Sequence, residues 1–157
     1  MQRITPFLWF DHQAEEAARF YVSLFPNSMI TGISHYGEGS PLPAGTAMTV
    51  NFKLDGQEFI ALNGGPVYHF NPAISFFVDC PDQEEVDRLW NRLTEGGEEV
   101  QCGWLTDKFG LSWQIVPSGL NDLLGGPDPA GAQRAMQAML KMKKLDLAKM
   151  RQAYEQG

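Results

Sequence analysis

The side chains that most readily supply nucleophiles, proton carriers or soft metal ligands are few in this chain of 157 residues, which has 3 histidines and 2 cysteines. His12, His35 and His69 are widely separated, and Cys80 and Cys102 lack the CxxC spacing of a metal-binding pair. No pattern of neighbouring residues assigns a nucleophile to a base. The sequence therefore leaves open whether the chain catalyses a reaction.

Acidic pairs and the two thiols have structural interpretations. Glu15-Glu16 and Glu84-Glu85 fall in the predicted first turns of two helices, where the helix dipole favours negative charge. Two cysteines are too few for a disulfide framework, so we expect reduced and mostly buried thiols, with a reactive Cys102 as the alternative. None of these side chains is assigned a catalytic role.

Alternating and helical patterns predict five elements in the first half of the chain. The stretch TAMTVNFKLD alternates apolar and polar residues, as a half-buried strand does. Asp55-Gly56 at its end favours a hairpin turn, because both central positions of that turn need positive φ. Pro26 ends a helix. The predicted elements form a βαβββ plan, with a strand at 4–10, a helix at 11–25 and strands at 28–36, 46–55 and 57–63.

The second half repeats this plan, with Val78 at the place of Phe10 and Gly96 at the place of Pro26. Internal repeats of this kind indicate duplicated modules. Asp82 is a predicted N-cap, and Gly96 supplies the helix end. The predicted elements are a strand at 71–79, a helix between 82 and 96, and two further strand candidates at 98–107 and 111–117, so one strand of the repeated plan is not recognised separately.

Residues 118–157 change in character and are rich in helix formers. Asp128 followed by Pro129 predicts the start of a helix. A set of apolar residues in this segment is predicted to pack onto the domain or onto a second subunit. These residues are Met136, Met139, Leu140, Leu145 and Met150.

Charge and hydropathy argue against two classes of partner. The formal net charge of -7 repels a phosphate backbone, so we expect no nucleic-acid binding. No apolar run approaches the ~20 residues that cross a bilayer, and the first residues do not resemble a cleaved leader. The sequence predicts a cytoplasmic protein with no membrane segment.

Four motifs span most of the chain: FxxxAEEAARFYVSLFP at 10–26, LNGGP at 62–66, FNPAISFFVDC at 70–80 and GGEEVQCGWLTDKFGLSWQIVP at 96–117. They resemble the vicinal-oxygen-chelate (glyoxalase/bleomycin-resistance) superfamily, and within it the PhnB-like subgroup often labelled 3-demethylubiquinone-9 3-methyltransferase. The resemblance includes the C-terminal QRAMQAMLKMKKLD.

The resemblance implies an α+β fold and a homodimer. Two βαβββ modules would form an open U-shaped mixed sheet around a cavity, followed by C-terminal helices. One glyoxalase-like domain would span 1–157, with module one at about 1–66, module two at about 67–117 and a helical extension at about 118–157.

Metal-dependent members of this superfamily hold a divalent ion with His, Gln or Glu on the first and last strands of each module. Of the corresponding positions in this chain only Gln114 carries a suitable ligand, and metal sites take at least three. The glycine-rich GEGS and GG stretches are more simply turns than a cradle for S-adenosylmethionine. We therefore expect neither a metal nor a cofactor. The metal positions are Thr5 or Pro6, Ala73, Ala61 or Asn63, and Gln114.

Strand alternation places aromatic side chains beside these vacated positions. Phe7 and Trp9 share the face of the first position, and Phe77 shares the face of the second. Apolar walls with a few polar groups are typical of small-molecule sites, with plain core packing as the alternative. Residues in the crossover between the modules and beside the last hairpin are further candidates for ligand binding, because exposed loops commonly carry function. The predicted ligand-binding residues are Phe7, Trp9, Asn63, His69, Phe77, Trp104, Lys108 and Gln114.

Three functions remain open from the sequence. The first is a metal-independent enzyme or binding protein for a small aromatic or hydrophobic ligand. The second is a metal-dependent lyase or dioxygenase with an atypical ligand set of Gln114, Asn63 and His69. The third is a non-catalytic protein that sequesters a toxic compound, as bleomycin-resistance relatives do. Metal content separates the second from the others, and turnover separates the first from the third.

Overall fold

Residues 2–156 are described by a computed structural model. The chain divides into two units, the first ending at Phe70 and the second beginning at Asn71. Each unit holds a four-stranded mixed sheet with the order strand, helix and three strands along the chain. The predicted α+β fold with a duplicated βαβββ plan is confirmed.

The first unit contains strands β1 (Phe7–Phe10), β2 (Met29–His35), β3 (Ala47–Leu54) and β4 (Gln57–Asn63), with helix α1 (Ala14–Val22) after β1. The strands lie in the order β1-β4-β3-β2, in which β1 is parallel to β4 and the other neighbours are antiparallel. Asp55 and Gly56 join β3 to β4 with φ of 48° and 81°, so the predicted hairpin turn is confirmed.

Alternation along the strands decides which side of the first sheet is buried. Val50, Phe52 and Leu54 on β3 are buried and alternate with more exposed residues. Helix α1 contacts this sheet through a buried face that includes Ala14, Ala17, Ala18 and Tyr21. Alanine side chains are short, so they let the helix axis lie close to the sheet.

Asn63, the last residue of β4, connects three elements of the first unit. Its side-chain oxygen accepts a hydrogen bond from the N–H of Ala14 at 2.8 Å, and its amide nitrogen donates to the carbonyl of Ala47 at 3.0 Å. The first N–H groups of a helix have no partner inside it, so Asn63 caps α1 from a distant strand. The residue is 4% exposed and shares the buried side of β4 with Phe59 and Ala61.

The second unit contains β5 (Ser75–Cys80), α2 (Gln83–Thr94), β6 (Glu98–Glu99), β7 (Trp104–Thr106) and β8 (Ser112–Pro117). The strands lie in the order β5-β8-β7-β6, in which β5 is parallel to β8 and the other neighbours are antiparallel. Asp82 accepts a hydrogen bond from the N–H of Glu85 at 2.9 Å, so the predicted cap is confirmed. The apolar face of α2 is buried and consists of Val86, Leu89, Trp90 and Leu93.

Two strand predictions in this unit are wrong in extent. The stretch 98–107 forms two short strands instead of one, because Cys102 and Gly103 take φ of 58° and 83° and turn the chain between β6 and β7. The strand predicted at 71–79 begins only at Ser75. Before it, the side chain of Asn71 accepts a hydrogen bond from the N–H of Ala73, and this local turn competes with strand pairing.

Three helices follow β8: α3 (Leu120–Leu124), α4 (Pro129–Leu140) and α5 (Leu147–Glu155). The Asp128 side chain accepts from the N–H of Ala130, which confirms the predicted helix start. No helix within residues 2–156 is long and apolar enough to cross a bilayer. The helices share a buried cluster with β8 that consists of Val116, Leu120, Leu123, Ala135, Leu145 and Met150.

The link between α4 and α5 is fixed to α2 by side chains. Gln83 donates from its amide nitrogen to the carbonyl of Leu145 and accepts with its amide oxygen from the N–H of Leu147, both at 2.8 Å. Lys144 forms an ion pair with Asp87 at 2.9 Å. The hydrogen-bonded Lys144 ammonium lowers the pKa of the Asp87 carboxyl below its usual value.

The same link also holds the turn between β6 and β7. The N–H groups of Cys102 and Gly103 donate to the carbonyls of Met142 and Lys143, each at 2.8 Å. A side chain at Gly103 would press against Leu145 and the carbonyl of Ile115. The C-terminal segment therefore fixes the position from which β7 starts.

The role of Asn63 can be tested by Asn63→Ala. The change leaves the N–H of Ala14 and the carbonyl of Ala47 without their partner, and each buried unsatisfied group costs roughly 1–3 kcal/mol. We expect the free energy of unfolding to fall by about 3 kcal/mol in urea titrations followed by circular dichroism. The control Asn51→Ala, at an exposed position of β3, should change it by less than about 0.5 kcal/mol. A loss below about 1 kcal/mol for Asn63→Ala would contradict this role.

Candidate functional site

Each sheet has one side packed against its helix and an opposite side, which we call its open face. Direct pairing across the strands shows which residues share that face. The prediction that Phe7 and Trp9 share one face is confirmed, and Ser75 shares a face with Phe77. The first open face carries Phe7, Trp9, Thr49, Ile60 and Leu62, and the second carries Ser75, Phe77, Trp104, Thr106, Ser112 and Gln114.

A glutamine lies between two aromatic residues on the second open face. Phe77 on β5 and Trp104 on β7 both stand directly opposite Gln114 on β8. Phe77 is 59% exposed, and Trp104 and Gln114 are partly exposed. Directly opposed side chains on one face of a sheet are close neighbours. This face therefore presents two aromatic surfaces on either side of one amide group.

The amide of Gln114 is oriented by a neighbouring hydroxyl. Its nitrogen donates a hydrogen bond to the Oγ atom of Ser75 at 3.0 Å, diagonally across the pair of parallel strands. Ser112, directly opposite Ser75, is buried and places another hydroxyl in the same row. The polar part of the face is thus an amide with neighbouring hydroxyl groups, arranged by the register of β5 and β8.

The two ends of the second open face differ from its centre. Val116, two residues beyond Gln114 on β8, is buried among the C-terminal helices. Asp79 stands opposite Val116 and accepts a hydrogen bond from the hydroxyl of Ser118 at 2.9 Å. At the other end, exposed Glu98 stands opposite Thr106. Carboxylates therefore lie at both ends of this face.

The first open face is more apolar, and its tryptophan is already engaged. Trp9 donates from its indole nitrogen to the carbonyl of Gly65 at 2.8 Å, and its ring meets Tyr68 edge-on with centroids 4.9 Å apart. A Cβ atom at Gly64 would overlap the indole ring. Phe7, in contrast, is 55% exposed. Trp9 therefore holds the loop after β4 in place, whereas the side chain of Phe7 is accessible to solvent.

Three other predicted ligand residues do not belong to the strands of the second open face. Lys108 is exposed in the turn between β7 and β8, with its Nζ atom 5.4 Å from the centroid of the Phe109 ring. His69 is exposed in the segment after β4 of the first unit. Asn63 is buried on the helix-covered side, and both ends of its amide are bonded to the backbone. We therefore leave Asn63 out of the candidate site.

The positions that correspond to metal ligands in the superfamily offer few donor atoms. Thr5 and Pro6 precede β1, Ala73 precedes β5, and Ala61 is buried in the core of the first unit. Over the described range 2–156, no three His, Cys, Asp or Glu side chains lie close enough together to hold an ion. Around Gln114 the donors are amides and hydroxyls, which are weak ligands for transition metals.

The cysteines lie outside both open faces. Cys80 is fully buried, and this burial raises the pKa of its thiol from 9.0 to about 12. The thiolate is the nucleophilic form, so Cys80 is a poor nucleophile near neutral pH. Cys102 is partly buried in the turn before β7, where its sulfur lies 3.7 Å from the carbonyl oxygen of Met139.

Sequence patterns did not reveal every residue of the open faces. In the stretch QEFIALN four consecutive residues are apolar, so alternation alone does not say that Ile60 and Leu62 face away from α1. Trp104 and Thr106 lie within the strand predicted at 98–107, but the turn at Cys102 divides that strand, so alternation along it did not show that both residues lie on the open face.

Comparisons with known proteins come from three sources. A family model described as 3-demethylubiquinone-9 3-methyltransferase matches residues 2–116. None of the curated proteins compared with the chain matches it. The match ends in β8, so the C-terminal segment, for which the motifs also suggest a resemblance, lies outside it.

Solved structures also show similarity to this chain. A PhnB protein from Bacillus cereus is 39% identical over 74% of this chain and 99% of its own, with a TM-score of 0.69. Protein PA1353 from Pseudomonas aeruginosa is 22% identical over 74% of this chain and 98% of its own, with a TM-score of 0.62, and supports the fold alone.

The geometry around Gln114 predicts protein without a stoichiometric metal. Elemental analysis of untagged purified protein should find well under one zinc, iron, nickel or manganese ion per chain. The same result should follow after incubation with excess zinc chloride and dialysis, because fewer than three suitable ligands converge. About one ion per chain in either sample would contradict the expectation.

Proposed function

Because the chain belongs to the family described as 3-demethylubiquinone-9 3-methyltransferase, as a PhnB-like member of the vicinal-oxygen-chelate superfamily, we propose that it binds a small aromatic ligand on its second open face without a metal ion. The observation that carries this proposal is the row of Phe77, Gln114 and Trp104. Apolar surfaces supply burial for a planar ligand, and the amide fixes its orientation.

Exposure supports a binding role for this row over a purely structural one. A phenylalanine that packs in a core is normally covered, whereas 59% of the surface of Phe77 is open. Its neighbour Phe76, one residue earlier, points to the other side of the sheet and meets Trp113 edge-on at 5.2 Å. The structural aromatic contacts of β5 thus lie on the helix side, and Phe77 is left for an external partner.

Methyl transfer is not part of the proposal, although the family description names it. S-adenosylmethionine sites usually need a glycine-rich turn that lets the backbone approach the cofactor. In this chain Gly64 is packed against the ring of Trp9, and Gly65 binds the indole N–H. Gly39 lies in the long loop between two antiparallel strands. These glycines do not fit a cofactor cradle.

The metal-dependent alternative is also not favoured. It would use Asn63 and Gln114 together, but Asn63 lies on the helix-covered side of its sheet and caps α1. Binding with turnover and binding without turnover remain two forms of the same proposal. Product analysis with any ligand that binds distinguishes an enzyme from a sequestering protein.

The first test measures binding of 2-naphthol, a neutral planar probe, by calorimetric titration. We expect Phe77→Ala and Trp104→Ala to weaken its affinity by roughly 1–2 kcal/mol each, because each removes aromatic contact area. The control Met29→Ala removes a side chain of similar exposure, 56%, from β2 and should leave the affinity unchanged. If 2-naphthol does not bind at millimolar concentration, or binds both variants as tightly as the unmodified protein, the proposal fails.

A second test concerns assembly, because we also propose a homodimer. Each sheet ends in two edge strands, and unpaired edges next to apolar side chains favour association. Ile74 beside β5 is 71% exposed, and Leu140 on α4 is 51% exposed. Light scattering should give twice the chain mass of 17.5 kDa, and Ile74→Glu or Leu140→Glu should shift the protein toward monomer. A monomer at all micromolar concentrations of unmodified protein would contradict the proposal.

A further inference from the structure

The hydrogen bond between Gln114 and Ser75 leaves two polar groups available on the second open face. One N–H of the Gln114 amide donates to Ser75, whereas its second N–H and its amide oxygen have no hydrogen-bond partner within residues 2–156. The Ser75 hydroxyl accepts that bond, so its own proton is available for donation. An acceptor and a donor therefore lie side by side, between the rings of Phe77 and Trp104.

Rotating the glutamine amide by half a turn keeps this arrangement. The amide oxygen of Gln114 then accepts from the Ser75 hydroxyl, which leaves an amide N–H as the free donor and a lone pair of Ser75 as the free acceptor. Both orientations present one donor next to one acceptor, in opposite order. The pair therefore matches a ligand that has an N–H group next to a carbonyl group.

The charges on this face disfavour an anionic ligand. Asp79 and Glu98 place carboxylates at the two ends of the open face, and the whole chain has a formal charge of -7. A carboxylate on the ligand would be repelled by these groups, and Lys108 lies outside the row of Gln114. An amide offers the required donor and acceptor without a charge.

We propose that the second open face recognises a planar aromatic molecule that carries a neutral cyclic amide, with its N–H and carbonyl bound by Gln114 and Ser75. The aromatic ring contacts Phe77 and Trp104, and the amide edge makes two hydrogen bonds to the polar pair. This inference rests on the proposed binding function and adds the chemical class of its ligand.

The experiment compares quinolin-2(1H)-one, which has the amide edge, with 1-methylquinolin-2(1H)-one, in which the donor is blocked. Calorimetric titration of the unmodified protein should give about tenfold tighter binding of the first probe, which corresponds to about 1.4 kcal/mol. In Gln114→Met, which keeps the volume and removes the amide, the ratio should fall to about one. Ser75→Ala, which removes the other half of the polar pair, should weaken the binding of quinolin-2(1H)-one.

Gln114→Met distinguishes the loss of a hydrogen bond to the ligand from an effect of the added methyl group's size. If the methyl group acts only by its size, the preference persists unchanged in Gln114→Met, and the amide inference is overturned. Equal binding of both quinolinones, or tighter binding of 2-naphthoate than of quinolin-2(1H)-one, overturns it as well, while binding of 2-naphthol would still support the broader function. If no aromatic probe binds, both proposals fail. Thermal unfolding of each variant within about 2 °C of the unmodified protein confirms that the comparison concerns folded protein.

Discussion

Both units depend on one pairing, the parallel alignment of the first strand with the last. Parallel neighbours cannot be joined by a tight turn, so the helix and two further strands must lie between them in the chain. In the first unit this pairing sets Leu8 against Ala61 under the helix, and in the second it sets Val78 against Ile115. It also sets the register of the opposite side, because neighbouring residues alternate between the two faces. The strand register that aligns the core residues therefore also decides which residues lie together in the candidate site.

Local patterns predicted most of the elements because their causes are local. The alternation in β3, the Asp55-Gly56 turn and the buried stripe of α2 each depend on a few neighbouring residues. The errors arose where distant parts of the chain compete with a local pattern. Strand-like residues between Glu98 and Asp107 are divided by a turn at Cys102 whose N–H is bonded to Met142. This hydrogen bond joins residues that are far apart in the sequence, so the residues around Cys102 do not predict it.

Two amides on corresponding strands show why the site was harder to predict than the fold. Asn63 and Gln114 both lie on the last strand of their module, and both were predicted to bind a ligand. Asn63 shares the side of Ala61, which is buried beneath α1, so its amide is used to cap that helix. Gln114 shares the side of Ser112, so its amide is partly exposed. A shift of one residue in strand parity exchanges a position under the helix for a position on the open face, and parity depends on long-range register.

The attachment of the C-terminal segment has an evolutionary consequence. The carbonyl of Lys143 holds the N–H of Gly103, which directly precedes Trp104, yet residues after 116 lie outside the range that the family model matches. One wall of the open face thus takes its position from a segment outside the matched range, although every residue that lines the face lies inside that range. Substitutions in the C-terminal segment can therefore adjust the width of the face without altering any residue that lines it.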